Sequence, residues 1–227
     1  MPAYYRAPAA GFVRDDPDRI VGRLTLQSAT SGFYQQQHAQ TEAWRVQVAA
    51  LVHALTALEK DAFDLDAHVL LEYPIPRRGK RVDCVLLAGG LVIAIEFKCG
   101  AATYAREAAE QVEDYCLDLR DFHEQSKARV LIPVLVSTEA PQRPEPGDPV
   151  VESVGPVWCA NAANLGQRLS SIVSRYRQAD PVPIAPSAWD RSNYLPTPTI
   201  IESAQALYAG QNVREISRCH AGVHNLT

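Results

Sequence analysis

Two runs rich in Val, Ile and Leu, separated by a pair of glycines, constrain the fold of this chain more than any other feature. The runs extend over 80–87 and 91–98, and Val, Ile and Leu occupy successive positions in both of them. Strands that are apolar on both faces are typical of a sheet that helices cover on both sides. Gly89 and Gly90 fit a two-residue hairpin turn, which predicts that the two strands are antiparallel neighbours.

The hairpin predicts which charged residues lie opposite one another. Asp83 falls opposite Glu96, and Arg81 falls opposite Lys98. Opposed side chains have Cβ atoms about 4.5–5.5 Å apart, so the two carboxylates repel each other unless a cation joins them. Carboxylate oxygens with room for water and phosphate are the ligands that Mg²⁺ prefers. Lys98 projects from the same strand face as Glu96, where an ammonium can reach an attacking water or a phosphate.

Further charges are expected at the same end of the hairpin. Glu72 closes a strand predicted over 68–73 and should arrive beside the two acids. The loop before the hairpin holds the densest basic cluster of the chain, which consists of Arg77, Arg78, Lys80 and Arg81. Acids can hold a metal ion, and basic residues beside them can bind the phosphates of a polyanion, so the combination suits the cleavage of a polyanion.

The competing interpretation is a surface salt-bridge network, in which Arg81, Asp83, Glu96 and Lys98 neutralise one another. An isolated Glu-x-Lys would favour that interpretation. The aspartate on the neighbouring strand and the order of the surrounding elements favour a metal-binding site instead.

The predicted elements run helix, three strands, helix and strand. In chain order they are a helix over 41–59, strands over 68–73, 80–87 and 91–98, a helix over 103–125, a strand over 130–137, a strand within 150–160 and a helix over 162–177. Helical spacing places Trp44, Val48, Leu51, Leu55 and Leu58 on one apolar stripe of the first helix. Thr41 is its predicted N-cap, and Pro133 predicts an edge position or a bulge for the fourth strand.

The predicted elements divide the chain into three parts. Residues 1–40 are expected to form an N-terminal arm with a short element over 20–26, and 41–178 the main α/β domain. Residues 179–227 are expected to form a proline-rich linker and a C-terminal tail with a short helix over 199–208.

Gln111 and Tyr115 stand four residues apart in the second helix and share one face. The pair can point polar groups at the charged end of the hairpin. It can equally be a surface pair with Tyr115 half-buried.

Asp83 followed by Glu96-Phe97-Lys98 on this order of elements resembles the PD-(D/E)xK nuclease superfamily. With Gln111 and Tyr115 added, the chain resembles the branch shared by RecB-type nuclease domains. The resemblance covers about 41–137 and departs at Val82, where the family name has Pro, a position that varies within the superfamily.

This resemblance implies a restriction-endonuclease-like α/β core that binds Mg²⁺, for which Mn²⁺ can substitute. It implies Asp83 and Glu96 as metal ligands and Lys98 as the catalytic lysine. In many members an acid from the first helix completes the site. Glu42 is the candidate, although the helix dipole equally explains an acid in the first turn, and Glu72 is the competing fourth acid.

A narrower resemblance rests on five segments, which are 72–76, 80–83, 95–98, 111–115 and 194–202. They resemble bacterial proteins in which a nuclease-like domain precedes a Schlafen-like DNA/RNA helicase domain. This chain has no Walker A motif, so the resemblance implies a helicase domain or partner outside it and no ATP hydrolysis by this chain alone. It also implies a role in defence against phage or mobile elements.

Composition narrows the functional classes further. The net charge of −4 argues against coating of nucleic acid through a broad basic surface, and five cysteines without a CxxC pair argue against a zinc ribbon or disulfide framework. No apolar run approaches about 18 residues, so we expect a cytoplasmic protein, as a monomer or a homo-oligomer.

The expected function is therefore a Mg²⁺-dependent nuclease acting on nucleic acid, with DNA favoured over RNA. In such a nuclease Gln111 and Tyr115 would position water or phosphate. The basic cluster in the loop before the hairpin would contact neighbouring phosphates. The alternatives are a non-catalytic nucleic-acid or partner-binding module with a nuclease fold, and a nuclease directed at RNA such as tRNA.

Overall fold

The computed structural model describes residues 2–30, 37–59, 67–75, 79–177 and 182–195. In these residues six strands form one mixed sheet in the order β1 to β6. The strands are β1 Tyr5–Pro8, β2 His68–Ile75, β3 Lys80–Ala88, β4 Leu91–Lys98, β5 Leu131–Ser137 and β6 Trp158–Ala160. The helices are α1 Ala9–Arg14, α2 Pro17–Thr30, α3 Gln37–Glu59, α4 Arg106–Phe122, α5 Leu165–Tyr176 and α6 Pro186–Asp190, with a 3₁₀ turn at Glu124–Ser126. The predicted α/β class, a central mixed sheet flanked by helices, is confirmed.

The sheet changes direction at β4. Strands β1 to β4 are antiparallel neighbours, whereas β4, β5 and β6 are parallel. Helix α4 makes the crossover from β4 to β5 and packs on both strands. Consequently the carboxyl ends of β4, β5 and β6 lie at one edge of the sheet, which also carries Lys98.

The predicted hairpin turn is present. Gly89 and Gly90 have φ angles of 58° and 79°, and two positive φ values in succession define a type I′ turn that L side chains disfavour. Pairing from Ala88 with Leu91 down to Cys84 with Ile95 confirms the predicted register over this length.

One large apolar cluster lies between the sheet and helices α1, α2, α3 and α5. The predicted stripe of α3 is buried in it, through Trp44, Val48, Leu51, Leu55 and Leu58. Helix α4 covers β4 and β5 with its own buried residues, which include Val112, Tyr115 and Leu119.

The first thirty residues are not an arm. Residues 5–30 form β1, α1 and α2, and β1 pairs with β2 at the edge of the sheet. Phe12, Ile20 and Leu24 are at most 1% exposed because they enter the main core. Strand β1 and helix α1, of 4 and 6 residues, are too short for their periodicity to be visible in the sequence, whereas the short element predicted over 20–26 lies within α2.

Helix α3 begins earlier than predicted. It starts at Gln37, so Thr41 is not its N-cap and Glu42 does not lie in its first turn. Gln and Ala are good helix formers and extend the helix ahead of the apolar stripe.

Part of the segment predicted to be a linker forms a helix. Helix α6 buries Trp189 completely, with its ring 4.8 Å from that of Tyr73 and 4.4 Å from that of His123. Asp190 accepts a hydrogen bond of 2.6 Å from Arg6. Residues 1–193 thus form one compact unit, and 194–227 form a second. The helix predicted over 199–208 lies outside the described residues.

Pro133 does not mark an edge strand, because β5 lies between β4 and β6. The N–H of Leu131 donates to the carbonyl of Ser153, and its C=O accepts from the N–H of Gly155. Because the backbone groups of alternate residues point to the same side of a strand, those of Pro133 point to this side as well. The missing N–H of Pro133 therefore falls in the gap before β6 pairing resumes at Val134 and Trp158.

Among the described helices, none is both long and apolar enough to cross a bilayer.

Candidate active site

Three acids occupy one row across the middle of the sheet. Glu72 on β2 and Asp83 on β3 lie between two regular pairs, and Glu96 on β4 follows the last regular β3–β4 pair. At this row the backbone ladder is interrupted on both sides of Asp83. The predicted proximity of the acids is present, but their backbones do not pair.

Side-chain contacts replace the missing ladder bonds. The backbone N–H of Phe97 donates a hydrogen bond of 2.8 Å to Oδ2 of Asp83. Glu72 has φ of 54°, in the left-handed region that a non-glycine residue rarely adopts. The indole Nε1 of Trp44 donates to Oε1 of Glu72 at 2.7 Å, which holds this buried carboxyl towards α3.

Glu96 is the centre of a polar network that includes α4. Lys98 Nζ lies 2.9 Å from Oε1 of Glu96, and Gln111 Nε2 donates to the same oxygen at 3.0 Å. Lys98 also donates to Oε1 of Gln111 at 3.2 Å, and Gln111 Nε2 lies 2.6 Å from the hydroxyl of Tyr115. The structure thus brings together four of the predicted catalytic residues, with Gln111 and Tyr115 aimed at the acids.

Burial and mutual repulsion act on all three acids. Burial raises the pKa of Asp83 well above its ordinary value, and the charges of Glu96 and Glu72 raise it further. Burial also raises the pKa of Glu96, although Lys98 and Gln111 favour its charged form. The pKa of Glu72 is raised by burial, against the effect of its Trp44 hydrogen bond. Such a row holds charge that a nearby cation would stabilise.

The donor set offers a metal ion one unengaged carboxylate oxygen. Oε2 of Glu96 is buried and has no hydrogen-bond partner, so one carboxylate oxygen is free to be a ligand. Among the described residues no three His, Cys, Asp or Glu side chains form a ready metal cluster. Two carboxylates completed by water and phosphate oxygens are nevertheless a usual Mg²⁺ site, and Asp83 with Glu96 fits that pattern.

The structure separates the two candidates for the acid that completes the site. Glu42 is exposed and pairs with Arg45 at 2.6 Å, so its contacts are away from the acid row. Glu72 lies in the row and interacts electrostatically with Asp83 and Glu96.

The predicted basic residues divide into three groups. Arg77 and Arg78 lie outside the described residues. Lys80 is exposed, and its charge acts on Glu96. Arg81 lies with its guanidinium 3.9 Å from the ring centroid of Tyr4 and donates to the carbonyl of Glu72 at 3.3 Å.

The salt-bridge network of the competing interpretation forms only in part. Lys98 pairs with Glu96, whereas Arg81 donates to the backbone carbonyl of Glu72. The β3–β4 pairing ends at Cys84 and Ile95, so the predicted alignment of Arg81 with Lys98 does not form. On their other sides Arg81 pairs with Pro74 of β2 and Lys98 with Ser137 of β5.

Sequence reasoning missed Trp44 and Tyr4 as supports of the site. Helical spacing places Trp44 only in the apolar stripe of α3, yet a buried indole normally needs an acceptor for its N–H. That rule could have directed attention to a neighbouring acid. Tyr4 fell in the predicted arm, where no signal was available.

No protein-family model matches this chain, and no curated protein or solved structure matches it.

Proposed function

We propose that this protein is a metal-dependent nuclease that hydrolyses phosphodiester bonds of nucleic acid, preferably DNA. One observation carries the proposal: Lys98 and Gln111 meet on one oxygen of Glu96, while the other oxygen is unpartnered. Asp83 stands beside them on the neighbouring strand. The resemblance of these residues to the PD-(D/E)xK superfamily supports the same conclusion.

Asp83 and Glu96 would hold Mg²⁺, with Mn²⁺ as a substitute. The ion would supply positive charge to the scissile phosphate and lower the pKa of a water. Glu72 adds a third negative charge to the row, which increases the attraction for a divalent cation. Trp44 fixes Glu72 in place, so the row is set before substrate arrives.

Lys98 would stabilise the negative charge that develops on the phosphate and orient the attacking water. Its side chain is 34% exposed, so it reaches solvent and substrate while Glu96 and Gln111 fix its ammonium. An ammonium held in place needs little reorganisation in the transition state. Tyr115, through Gln111, would set the orientation of the amide.

Lys80 is the described basic residue best placed to contact the phosphate backbone, because it is exposed beside the acid row. Arg77, Arg78 and Arg81 belong to the same segment of the chain. Such contacts set the position of the backbone and not the base sequence.

The test is cleavage of labelled DNA and RNA with Mg²⁺, with Mn²⁺ and with a chelator. Asp83→Asn and Lys98→Ala should each lower the rate at least about a hundredfold. Lys127→Ala, which removes an exposed lysine directly after the 3₁₀ turn, is the matched control and should retain the wild-type rate. Metal-dependent cleavage that is equal in Lys98→Ala and wild type would refute the proposal.

The non-catalytic alternative predicts nucleic-acid binding without cleavage and no calorimetric signal from Mn²⁺ that depends on Asp83. A cytoplasmic location, a helicase partner and a role in defence against phage are the parts of the proposal that rest on the resemblance alone.

A further inference from the structure

A second cationic cluster lies in the loops that follow β4, β5 and β6. Arg143 is exposed, yet its guanidinium lies 4.8 Å from the ring centroid of Tyr104 and contacts the thiol of Cys159. Arg168, in the first turn of α5, donates to the carbonyl of Arg143. The position of Arg143 is therefore fixed from both sides.

The two arginines of this cluster differ in their ion pairing. Arg168 is only 3% exposed and is neutralised by Glu145 at 2.9 Å. Within the described part of the chain, no carboxylate forms an ion pair with Arg143. Arg143 thus differs from a paired surface arginine such as Arg106, which binds Glu110.

The cluster also holds buried polar atoms without partners. The hydroxyl of Tyr104 and Nε of Arg168 are buried and make no hydrogen bond. Both groups donate hydrogen bonds, and buried donors without partners are rare. An acceptor-rich group with negative charge is the ligand chemistry that this set fits.

The cluster shares an edge of the sheet with Lys98. The turn after β4 is joined to the segment after β5, since the Thr138 N–H donates to the Lys98 carbonyl at 3.3 Å. The Glu139 N–H likewise donates to the Ala101 carbonyl at 3.1 Å. Tyr104 and Arg143 thus belong to the segments that follow the carboxyl ends of β4 and β5, the edge of the sheet at which Lys98 lies. Open α/β sheets bind ligands at that edge.

We propose that Arg143, supported by Tyr104 and Arg168, binds a backbone phosphate of the nucleic acid beyond the nucleotide at Lys98. This inference rests on the proposed function for its ligand. The contact involves the phosphodiester and not the bases, so it adds affinity and fixes the position of the strand without sequence preference.

The experiment measures the affinity for a short labelled DNA duplex at several KCl concentrations, with Ca²⁺ in place of Mg²⁺. Arg143→Gln should weaken binding about fivefold at low salt and reduce the slope of log affinity against log salt by about 0.9. Arg143→Lys keeps the charge and should retain the slope. Arg23→Gln is the matched control, since Arg23 is also exposed and lies 5.5 Å from the ring of Tyr5, and it should bind as wild type does.

The outcomes separate this inference from the proposed function. An Arg143-dependent slope in a protein that cleaves nothing would refute the nuclease and leave the phosphate contact standing. Equal slopes in wild type and Arg143→Gln, or no binding by wild type, would overturn the contact whether or not cleavage is seen. Thermal protection by inorganic phosphate that is lost in Arg143→Gln, without any change of slope on DNA, would assign the site to free phosphate and also overturn it.

Discussion

His123 should make the stability of this protein fall as the pH is lowered below neutral. Its ring is fully buried, with Nε2 3.0 Å from the carbonyl of Trp189 and Nδ1 2.7 Å from the hydroxyl of Ser126. A carbonyl only accepts, so Nε2 carries the proton and Nδ1 accepts from Ser126. Ser126 in turn accepts from the indole N–H of Trp189 at 3.0 Å, which completes a network built for a neutral imidazole.

Burial lowers the pKa of His123 from 6.5 to about 4. Between these values the unfolded chain binds a proton that the folded protein does not, so stability is full above pH 6.5 and is lost as the pH falls towards 4. Each pKa unit is worth about 1.4 kcal/mol, which gives a loss of about 2.5 kcal/mol between pH 7 and pH 4.5.

Urea unfolding of wild type and His123→Gln at both pH values measures this loss. The comparison with the variant is needed because the raised pKa values of Glu72, Asp83 and Glu96 act in the opposite direction. Burial raises all three, so the folded protein takes up protons at these acids and gains stability as the pH falls. The variant should lose about 2.5 kcal/mol less than wild type over this range, and His53→Gln, at an exposed position of α3, should behave as wild type. Equal losses in His123→Gln and wild type would refute the reasoning.

Three further perturbations follow from the site and the hairpin. Asp83→Asn keeps an acceptor for the Phe97 N–H and removes one repelling charge, so the metal-free protein should gain about 1 kcal/mol in urea unfolding and lose its thermal stabilisation by Mg²⁺. Trp44→Phe leaves the buried carboxyl of Glu72 without its donor, and we expect a loss of about 1–3 kcal/mol together with a slower cleavage rate; an unchanged unfolding midpoint would contradict this. Gly90→Ala places a side chain at φ of 79° in the type I′ turn and should cost about 1 kcal/mol, whereas Gly22→Ala in α2, where a Cβ meets no atom within 4 Å, should not destabilise.

The hairpin and its charges could be predicted because the information is local. Gly89 and Gly90 specify the turn type, the turn specifies the register, and the register brings Asp83 close to Glu96. Helical spacing then predicts that Gln111 and Tyr115 share a face, and both contribute to the network around Glu96.

The missed elements depend on partners distant in sequence. Strand β1 is specified by its pairing with β2, and α6 by the burial of Trp189 against Tyr73 and His123. A proline-rich segment resembles a linker until the cavity that its tryptophan fills is known.

The interruption of the ladder at the acid row was also beyond sequence reasoning, and it explains how a sheet interior tolerates three carboxylates. A continuous ladder would engage the N–H of Phe97 in strand pairing, whereas the open ladder leaves it for Asp83. A hydrogen bond to a charged group contributes about 1.5–3 kcal/mol, which offsets part of the cost of burying that carboxylate. The left-handed backbone of Glu72 costs about 1–3 kcal/mol and is held by the bond from Trp44. The site therefore keeps its three acids close together at a cost in stability, and the gain expected for Asp83→Asn measures that cost directly.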